Sequence, residues 1–190
     1  MKYYFIFLFF FITVASSAQE KVEMEYPISH KNVPDTAKKV ICELFPGEKV
    51  KWILERNNSG DNLEAKLKVN KTRISIEFDR NGFFEDLEVE LPLSDVEKEA
   101  ANKIKSKLES DFDRFKIKKI QHHYSGNQVE VLKLYQTGVA RLRFISQRFE
   151  IVVYGIKDKK INSYEYLFSL EGDFGERLIN AEENTDNLLF

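Results

Sequence analysis

A nine-residue pattern occurs twice in this chain of 190 residues, at positions about ninety apart. The copies are residues 78–86 and 168–176, and both begin Phe-x-x-x-Gly-x-Phe. In each copy an alternating strand leads into a polar reversal, and a second strand returns. The glycine of the reversal, Gly82 or Gly172, can adopt a positive φ without steric cost. The pattern therefore predicts two β-hairpin turns and a small unit that is used twice.

The residues around the first copy predict one helix and four strands. Residues 34–45 begin with Pro34 and Asp35, place apolar residues at helical spacing and end before a Pro-Gly pair. The stretches 49–56, 63–69, 72–78 and 84–91 alternate apolar and polar residues, as in an antiparallel sheet with one covered face. We expect the helix to cover the apolar face, and the polar face, with the acidic stretch 85–90, to be solvated.

The residues around the second copy follow the same order with one departure. A capping box at 94–97 opens a helix that continues to about residue 112, and strands follow at 115–124, 148–154, 161–170 and 174–179. Between the first two of these strands, residues 128–147 indicate an added hairpin, with strands at 129–135 and 140–145. The two copies lose register after the turn, where Leu87 would match Arg177, and this predicts a bulge or a register difference.

The predicted fold class is α+β. It consists of two tandem units, each a helix on an antiparallel four-stranded sheet, with the added hairpin in the second unit. The units span 33–92 and 93–180, after an N-terminal arm at 19–32 and before a polar C-terminal tail at 181–190. The composition, 43% hydrophobic and 32% charged, is that of a globular protein with a core. We expect Trp52 to belong to that core.

Residues 1–18 have the features of a secretory signal peptide. Lys2 gives a positive start, an apolar run of roughly a dozen residues follows, and Ala15-Ser16-Ser17-Ala18 supplies the small residues of a cleavage site. The run is shorter than the ~20 residues of a membrane-spanning helix, and an uncleaved anchor is the alternative. We therefore expect export to the periplasm or the extracellular space, with no spanning segment after signal removal.

The charge and the cysteine content narrow the class of protein further. The formal net charge is -2, with acids and bases interspersed, so the sequence lacks the basic stripe that binds a nucleic-acid backbone. Cys42 is the single cysteine, so no intramolecular disulfide can form. We expect Cys42 to pack as a small apolar residue of the first helix.

The sequence predicts no catalytic, cofactor-binding or metal-binding residue. His122 and His123 are adjacent on a predicted strand, so their side chains point to opposite faces and cannot chelate one metal ion, and His30 lies in the arm. A metal site would require these histidines to meet carboxylates in space. Segment 79–82 resembles the opening of a calcium loop but lacks the later ligands. No Gly-x-Ser-x-Gly elbow or glycine-rich phosphate loop occurs in the sequence.

The first unit contains four short motifs, Val33-Pro34, Phe45-Pro46, Lys51-Trp52 and Phe78-Asp79-x-x-Gly82. These motifs resemble those of the PepSY-like and β-lactamase-inhibitor-protein-like (BLIP-like) families of small exported bacterial proteins. The resemblance covers about residues 33–179 and is weaker in the second unit, where Lys119-Ile120 replaces the expected Lys-Trp and the added hairpin departs from the pattern. It implies a tandem helix-and-sheet fold and a non-enzymatic module that binds proteins or modulates proteases. No catalytic residue of these families is available to transfer.

The leading functional prediction is an exported, non-enzymatic protein-binding module, inhibitor-like in its action, whose partner is another envelope protein. In the added hairpin, Arg141 and Arg143 would lie on one face, and Leu142 and Phe144 on the other. We predict that these four residues bind the partner, because a departure from the repeated unit is a place where specificity can be built.

Two other functions are compatible with the sequence. One is an envelope hydrolase that uses His122 or His123 with a nearby carboxylate. The other is a structural or stress-related envelope component. A pocket that gathers His, Ser or Asp side chains would favour the hydrolase, and a shallow concave sheet would oppose it. The sequence leaves the partner and the oligomeric state open.

Overall fold

The strands of both repeat copies belong to one continuous β-sheet. The computed structural model describes residues 20–21, 23–57 and 60–180. The predicted signal peptide at 1–18 and the predicted tail at 181–190 lie outside these residues. The described strands are β1 (Glu20–Lys21), β2 (Glu23–Pro27), β3 (Lys51–Asn57), β4 (Gly60–Val69), β5 (Thr72–Phe78), β6 (Phe84–Glu90), β7 (Arg114–Gly126), β8 (Ile145–Lys157), β9 (Lys160–Phe168) and β10 (Phe174–Asn180). The helices are α1 (Asp35–Leu44), α2 (Lys98–Asp111) and α3 (Gln128–Thr137), with 3-10 turns at His30–Asn32, Leu93–Asp95 and Leu142–Phe144.

The predicted α+β arrangement of two units with separate four-stranded sheets is wrong. β6 pairs antiparallel with β7, beginning with Asp86 opposite Ser125. This pairing joins β2 to β10 in one antiparallel sheet of nine strands. Unpaired backbone N–H and C=O groups at a sheet edge are unfavourable when buried, and the contact between β6 and β7 pairs both edges at once. The predicted bulge after the second turn is confirmed by a register shift between Phe174 and Glu176, but the first hairpin has the same shift beside Phe78, so the two copies do not differ in register.

The N-terminal residues bring the two ends of this sheet together. β2 pairs antiparallel with β3 at one end, and β1 pairs parallel with β10 at the other, where Lys21 lies opposite Asn180. A single residue separates β1 from β2, and consecutive Cα atoms are about 3.8 Å apart. The two ends of the sheet therefore meet, and the curled sheet has an inner and an outer face. The predicted arm at 19–32 supplies these closing strands.

Helices α1 and α2 cover the outer face, each over its own hydrophobic cluster. The cluster under α1 contains Val33, Ala37, Val40, Ile41, Phe45, Trp52, Leu63, Ala65, Leu67, Ile74, Ile76, Phe78, Leu87 and Val131. The cluster under α2 contains Val96, Ala100, Ile104, Leu108, Phe112, Ile120, Phe149, Ile151, Val153, Tyr164, Tyr166 and Phe168. The prediction that Trp52 is a core residue is confirmed, whereas Cys42 is exposed on α1.

The two copies of the repeated pattern form turns with the same hydrogen bonds. In each, the glycine N–H donates to the carbonyl three residues earlier, at 2.9 Å for Gly82 and 3.0 Å for Gly172. Their φ values are 83° and 80°. A Cβ at Gly82 would collide with Thr36 at the start of α1, and a Cβ at Gly172 would collide with Ala100 of α2. Glycine is therefore required both for the turn and for the close approach of the covering helix.

The added hairpin predicted for 128–147 is wrong, because residues 128–137 form α3. The Asn127 side chain accepts a hydrogen bond from the Glu130 N–H at 3.2 Å and caps the helix. Gly138, with a φ of 70°, ends it. Val131 is fully buried against the first hydrophobic cluster. Within the described ranges, no helix has the length and apolarity needed to cross a membrane.

Candidate functional site

The inner face of the curled sheet lines a polar cavity of about 520 Å³. Every strand from β2 to β10 contributes to the lining. Nine of the eighteen lining residues are carboxylates, against four lysines or arginines and one histidine. The lining residues are Glu25, Glu55, Asn57, Glu64, Lys66, Glu77, Asp86, Glu88, Lys118, Lys119, His123, Arg148, Glu150, Val152, Glu165, Leu167, Glu176 and Leu178.

These carboxylates occupy the polar positions of the alternating strands. On β4, for example, Leu63 and Ala65 belong to the outer hydrophobic cluster, and Glu64 between them faces the cavity. The prediction that this polar face is solvated is wrong, because Glu64 is 5% exposed and Glu88, in the acidic stretch 85–90, is 6% exposed. The curvature of the sheet buries a face that the alternation pattern only marks as polar.

Carboxylates face one another directly across neighbouring strands. Glu77 on β5 is paired with Glu64 on β4 and with Asp86 on β6. Like charges in directly opposite positions destabilise a sheet, and burial adds a desolvation cost. Lys66 offsets part of this charge, since its Nζ lies 2.9 Å from Glu64 Oε2 and 2.7 Å from Glu25 Oε1. The row Glu64–Glu77–Asp86 is therefore an unfavourable arrangement that is only partly neutralised.

Burial and neighbouring carboxylates raise the pKa of two inner glutamates. Burial is the largest cause for both, and repulsion from Asp86 is the next. The pKa of Glu88 rises from 4.5 to about 7, and that of Glu77 rises still higher. For Lys66, burial is the largest cause and disfavours the charge, but the attraction and hydrogen bonds of Glu64 and Glu25 together outweigh it and raise the lysine pKa. Near neutral pH, Glu77 therefore stays protonated, and this lowers the repulsion in the row.

Asp86, Glu88 and His123 converge on one part of the cavity wall. One ligand atom of each side chain lies within 4.8 Å of those of the other two. Glu88 is directly opposite His123 in the pairing of β6 with β7, and Asp86 lies two positions earlier on the same face. His123 Nε2 is 3.3 Å from Asp86 Oδ2 and 3.2 Å from Arg148 Nη2. The Gln121 amide donates a hydrogen bond from Nε2 to Glu88 Oε2. We call Asp86, Glu88 and His123 together the Asp86–Glu88–His123 cluster.

Four buried polar atoms of this cluster and its contacting neighbours lack a hydrogen-bond partner within the described part of the chain. They are Asp86 Oδ1, Gln121 Oε1, His123 Nδ1 and Arg148 Nε. Gln121 is 4% exposed and His123 is 3% exposed. An unpaired buried polar atom costs about 1–3 kcal/mol, so this corner of the cavity has unused capacity to bind a ligand.

The structure confirms that the adjacent histidines point to opposite faces. His122 lies on the outer face, where its ring stacks on Tyr124 with centroids 4.0 Å apart. Burial lowers the pKa of His122. His30 is exposed in its 3-10 turn. Of the three histidines, His123 meets two carboxylates, because β6 places Asp86 and Glu88 beside it. The prediction that no residue binds a metal used only the spacing of residues along the chain, and this contact joins residues that are far apart in the sequence.

The predicted partner-binding residues Arg141, Leu142, Arg143 and Phe144 lie outside the cavity, in the segment that follows α3. The Arg141 backbone N–H donates to Glu130 Oε2 at 2.9 Å, and its Nε donates to Glu130 Oε1 at 2.6 Å. Leu142 is 57% exposed and Phe144 is 42% exposed. Both guanidinium groups lie over the Phe144 ring. The four residues are thus at the surface, but on a 3-10 turn and not on the two faces of a hairpin.

The cavity satisfies only part of what the hydrolase alternative requires. It does bring a histidine within reach of an aspartate, at the 3.3 Å contact between His123 and Asp86. Among the described residues that line it, however, no serine, threonine or cysteine is present. A His–carboxylate pair without a side-chain nucleophile does not form the triad that acyl transfer uses.

Sequence reasoning missed the inner carboxylates as functional candidates. One signal was available, because a polar position of each of five strands holds a glutamate. These residues are Glu64, Glu77, Glu88, Glu150 and Glu165. A solvated face normally intersperses both signs of charge across neighbouring strands, and this excess of glutamate departs from that pattern.

Comparison with known proteins shows that the fold is similar to those of solved Bacteroides proteins. No family model matches the chain, and no curated protein matches it. A presumed periplasmic protein from Bacteroides eggerthii has a TM-score of 0.55 at 14% identity, over 80% of this chain and 94% of its own. A DUF2874 family protein from Bacteroides ovatus has a TM-score of 0.54 at 11% identity, over 82% and 94%. A BLIP-like protein from Bacteroides fragilis has a TM-score of 0.50 at 14% identity, over 83% and 92%. At these identities the similarity is one of fold, which agrees with the BLIP-like resemblance, while the PepSY-like resemblance stays a prediction.

Proposed function

We propose that this protein is an exported, non-enzymatic binding module that holds a positively charged ligand in its inner cavity. The observation that carries the proposal is the row Glu64–Glu77–Asp86, in which three carboxylates stand directly opposite one another on β4, β5 and β6. When the cavity holds no cation, the row is tolerated near neutral pH because burial and the neighbouring carboxylates keep Glu77 protonated, and ionisation of all three would weaken the sheet. A bound cation would replace the repulsion with attraction, and the excess of carboxylates would concentrate cations at the cavity.

Export is supported by the leader at 1–18, which has the composition of a signal peptide, and by the periplasmic assignment of the Bacteroides eggerthii neighbour. The non-enzymatic character is supported by the lining, which offers charged groups but no hydroxyl or thiol side chain for acyl transfer within the described residues. The proposed location is therefore the periplasm or the extracellular space, and the proposed activity is ligand binding without turnover.

The test is a calorimetric and thermal-shift titration of the chain from Gln19 to Phe190, which contains every residue that the structure describes. Spermidine and a lysine-rich peptide are the probes, in a chelating buffer of near-physiological salt, and an acidic peptide is the charge-reversed control. Binding to the folded state alone stabilises it by about 2.7 kcal/mol when the probe is at a hundred times its Kd. The cationic probes should therefore raise the melting temperature, and the acidic peptide should not.

A matched pair of variants localises the binding. Glu64→Gln removes a buried carboxylate of the row and should weaken the binding of the cationic probes. Glu109→Gln removes an exposed carboxylate of α2, where the side chain is 57% exposed, and should leave the affinity unchanged. Equal shifts with cationic and acidic probes, or an unchanged affinity in Glu64→Gln, would reject the proposed function.

A second candidate is the protein-binding function predicted from the sequence, with another envelope protein as the partner and an inhibitor-like action. Four large apolar side chains are exposed in or after α3, namely Val129, Val139, Leu142 and Phe144. Affinity capture from an envelope extract tests this candidate. The double variant Leu142→Ser, Phe144→Ser should lose a stoichiometric partner that the control Phe83→Ser, another exposed aromatic position, retains. A partner retained by the double variant would exclude this surface.

A further inference from the structure

We propose that the Asp86–Glu88–His123 cluster binds a divalent transition metal of the zinc class. The inference rests on the proposed cation-binding function and names the ligand of one corner of the same cavity. The ligand atoms lie within 4.8 Å of one another. Around a tetrahedral zinc with bonds of about 2.0–2.2 Å, neighbouring ligand atoms are about 3.4 Å apart. The contact of 3.3 Å between His123 Nε2 and Asp86 Oδ2 already has this spacing, and small side-chain rotations would bring Glu88 to it.

The types of ligand indicate which metals fit. The cluster offers one imidazole nitrogen and two carboxylate oxygens. Calcium takes six to eight oxygen ligands, and magnesium binds mainly oxygen in octahedral geometry, so neither makes use of the histidine. Imidazole with carboxylate suits zinc, copper or nickel, and a site with three protein ligands leaves a fourth position for water or another molecule.

The unpaired atoms around the cluster are a second and independent observation. His123 is 3% exposed, yet its Nδ1 has no hydrogen-bond partner in the described ranges, and the same is true of Asp86 Oδ1. His123 Nε2 lies between Asp86 Oδ2 and Arg148 Nη2. A ring nitrogen can donate to the carboxylate or accept from the guanidinium, but not both. One of the two contacts is therefore unfavourable in either neutral tautomer. Coordination of a metal by the imidazole and the carboxylate would satisfy both ligand atoms and displace the Arg148 contact.

The neighbours of the cluster have opposite effects on a bound metal. Gln121 donates to Glu88 Oε2 and holds that carboxylate in place, which is the usual role of the outer partner of a metal ligand. Arg148 brings a positive charge next to His123 and opposes a dication. Its removal therefore gives a test in which affinity should increase.

The experiment is a zinc chloride titration of the chain from Gln19 to Phe190, read by calorimetry and by competition with a chromophoric chelator. We expect one zinc ion per chain. Asp86→Asn and His123→Gln should each weaken the affinity at least about tenfold, and Arg148→Gln should strengthen it at least about threefold. The controls are His122→Gln, the adjacent histidine on the outer face, and His30→Gln at the surface, both with unchanged affinity.

The outcomes separate this inference from the proposed function. Urea unfolding of each variant confirms that it is folded, and a variant that does not fold is replaced in the comparison by Arg148→Gln. Binding of spermidine without stoichiometric zinc binding would overturn the metal site and leave the proposed function standing. Zinc binding that survives Asp86→Asn and His123→Gln but is lost in His30→Gln would also overturn it, because it would place the metal at the surface. No binding of either probe would reject both.

Discussion

Replacing Glu88 with glutamine should stabilise the protein above pH 7 and have little effect near pH 4. Burial, followed by repulsion from Asp86, raises the pKa of Glu88 from 4.5 to about 7. The folded chain therefore binds this proton more tightly than the unfolded chain does. Because the folded state holds more protons between pH 4.5 and about 7, its stability falls as the pH rises through this range, and the loss is complete above it.

The magnitude follows from the same pKa values. One pKa unit corresponds to about 1.4 kcal/mol, so the ionisation of Glu88 lowers the free energy of unfolding by about 3 kcal/mol at pH 8. Glutamine has nearly the same shape and no charge, and its amide oxygen can accept the hydrogen bond that Gln121 donates. Relative to the wild type, we therefore expect Glu88→Gln to gain about 3 kcal/mol between pH 4 and pH 8.

The assay is urea unfolding of both proteins between pH 4 and pH 8, with a chelator present so that bound metal does not offset the repulsion. Glu90→Gln is the matched control, because Glu90 lies two positions further along β6 and forms a surface ion pair with Arg73 at 3.2 Å. It should change stability by less than about 1 kcal/mol. A difference between Glu88→Gln and the wild type that does not depend on pH would refute the assignment of a raised pKa to Glu88.

Two further predictions concern the outer face. Gly172→Ala should destabilise the fold by at least about 2 kcal/mol in thermal unfolding, because φ is +80° and the new Cβ would lie 2.5 Å from a carbonyl oxygen of α2. The control Gly138→Ala, where φ is +70° and the space is open, should cost less. Equal losses of stability in the two variants would show that the contact with α2 is not the cause. Burial alone would raise the pKa of Asp111, but hydrogen bonds from Lys107 and Tyr166 hold it below 3.8. The stabilisation by Asp111 is therefore present above pH 4 and lost as the pH falls through the lowered pKa. Asp111→Asn should cost about 1–2 kcal/mol of unfolding free energy at pH 7 and less in acid. A cost that is the same at both pH values would contradict this prediction.

The fold and the candidate site differ in how far sequence could predict them. The helix at 34–45 and the strands on either side of Gly82 are confirmed within a few residues, because hydrophobic periodicity and turn glycines act locally. For 128–137 the same reasoning predicted a strand and was wrong. There Val131 packs against the first cluster. The Asn127 cap begins a short helix and Gly138 ends it, and an apolar run of this length does not by itself distinguish a helix from a strand.

By itself, the sequence determined the positions of most strands and of α1 and α2, the requirement for glycine at both turns, and the presence of one apolar and one polar face on each strand. Only the tertiary structure decided that β6 pairs with β7, that the N-terminal strands close the sheet and that the polar face is the inner one. Strand pairing and curvature depend on contacts between residues far apart in the chain. The contact of His123 with Asp86 and Glu88 is of this kind. The pairing register of β6 with β7 creates the site, and no local sequence motif contains it.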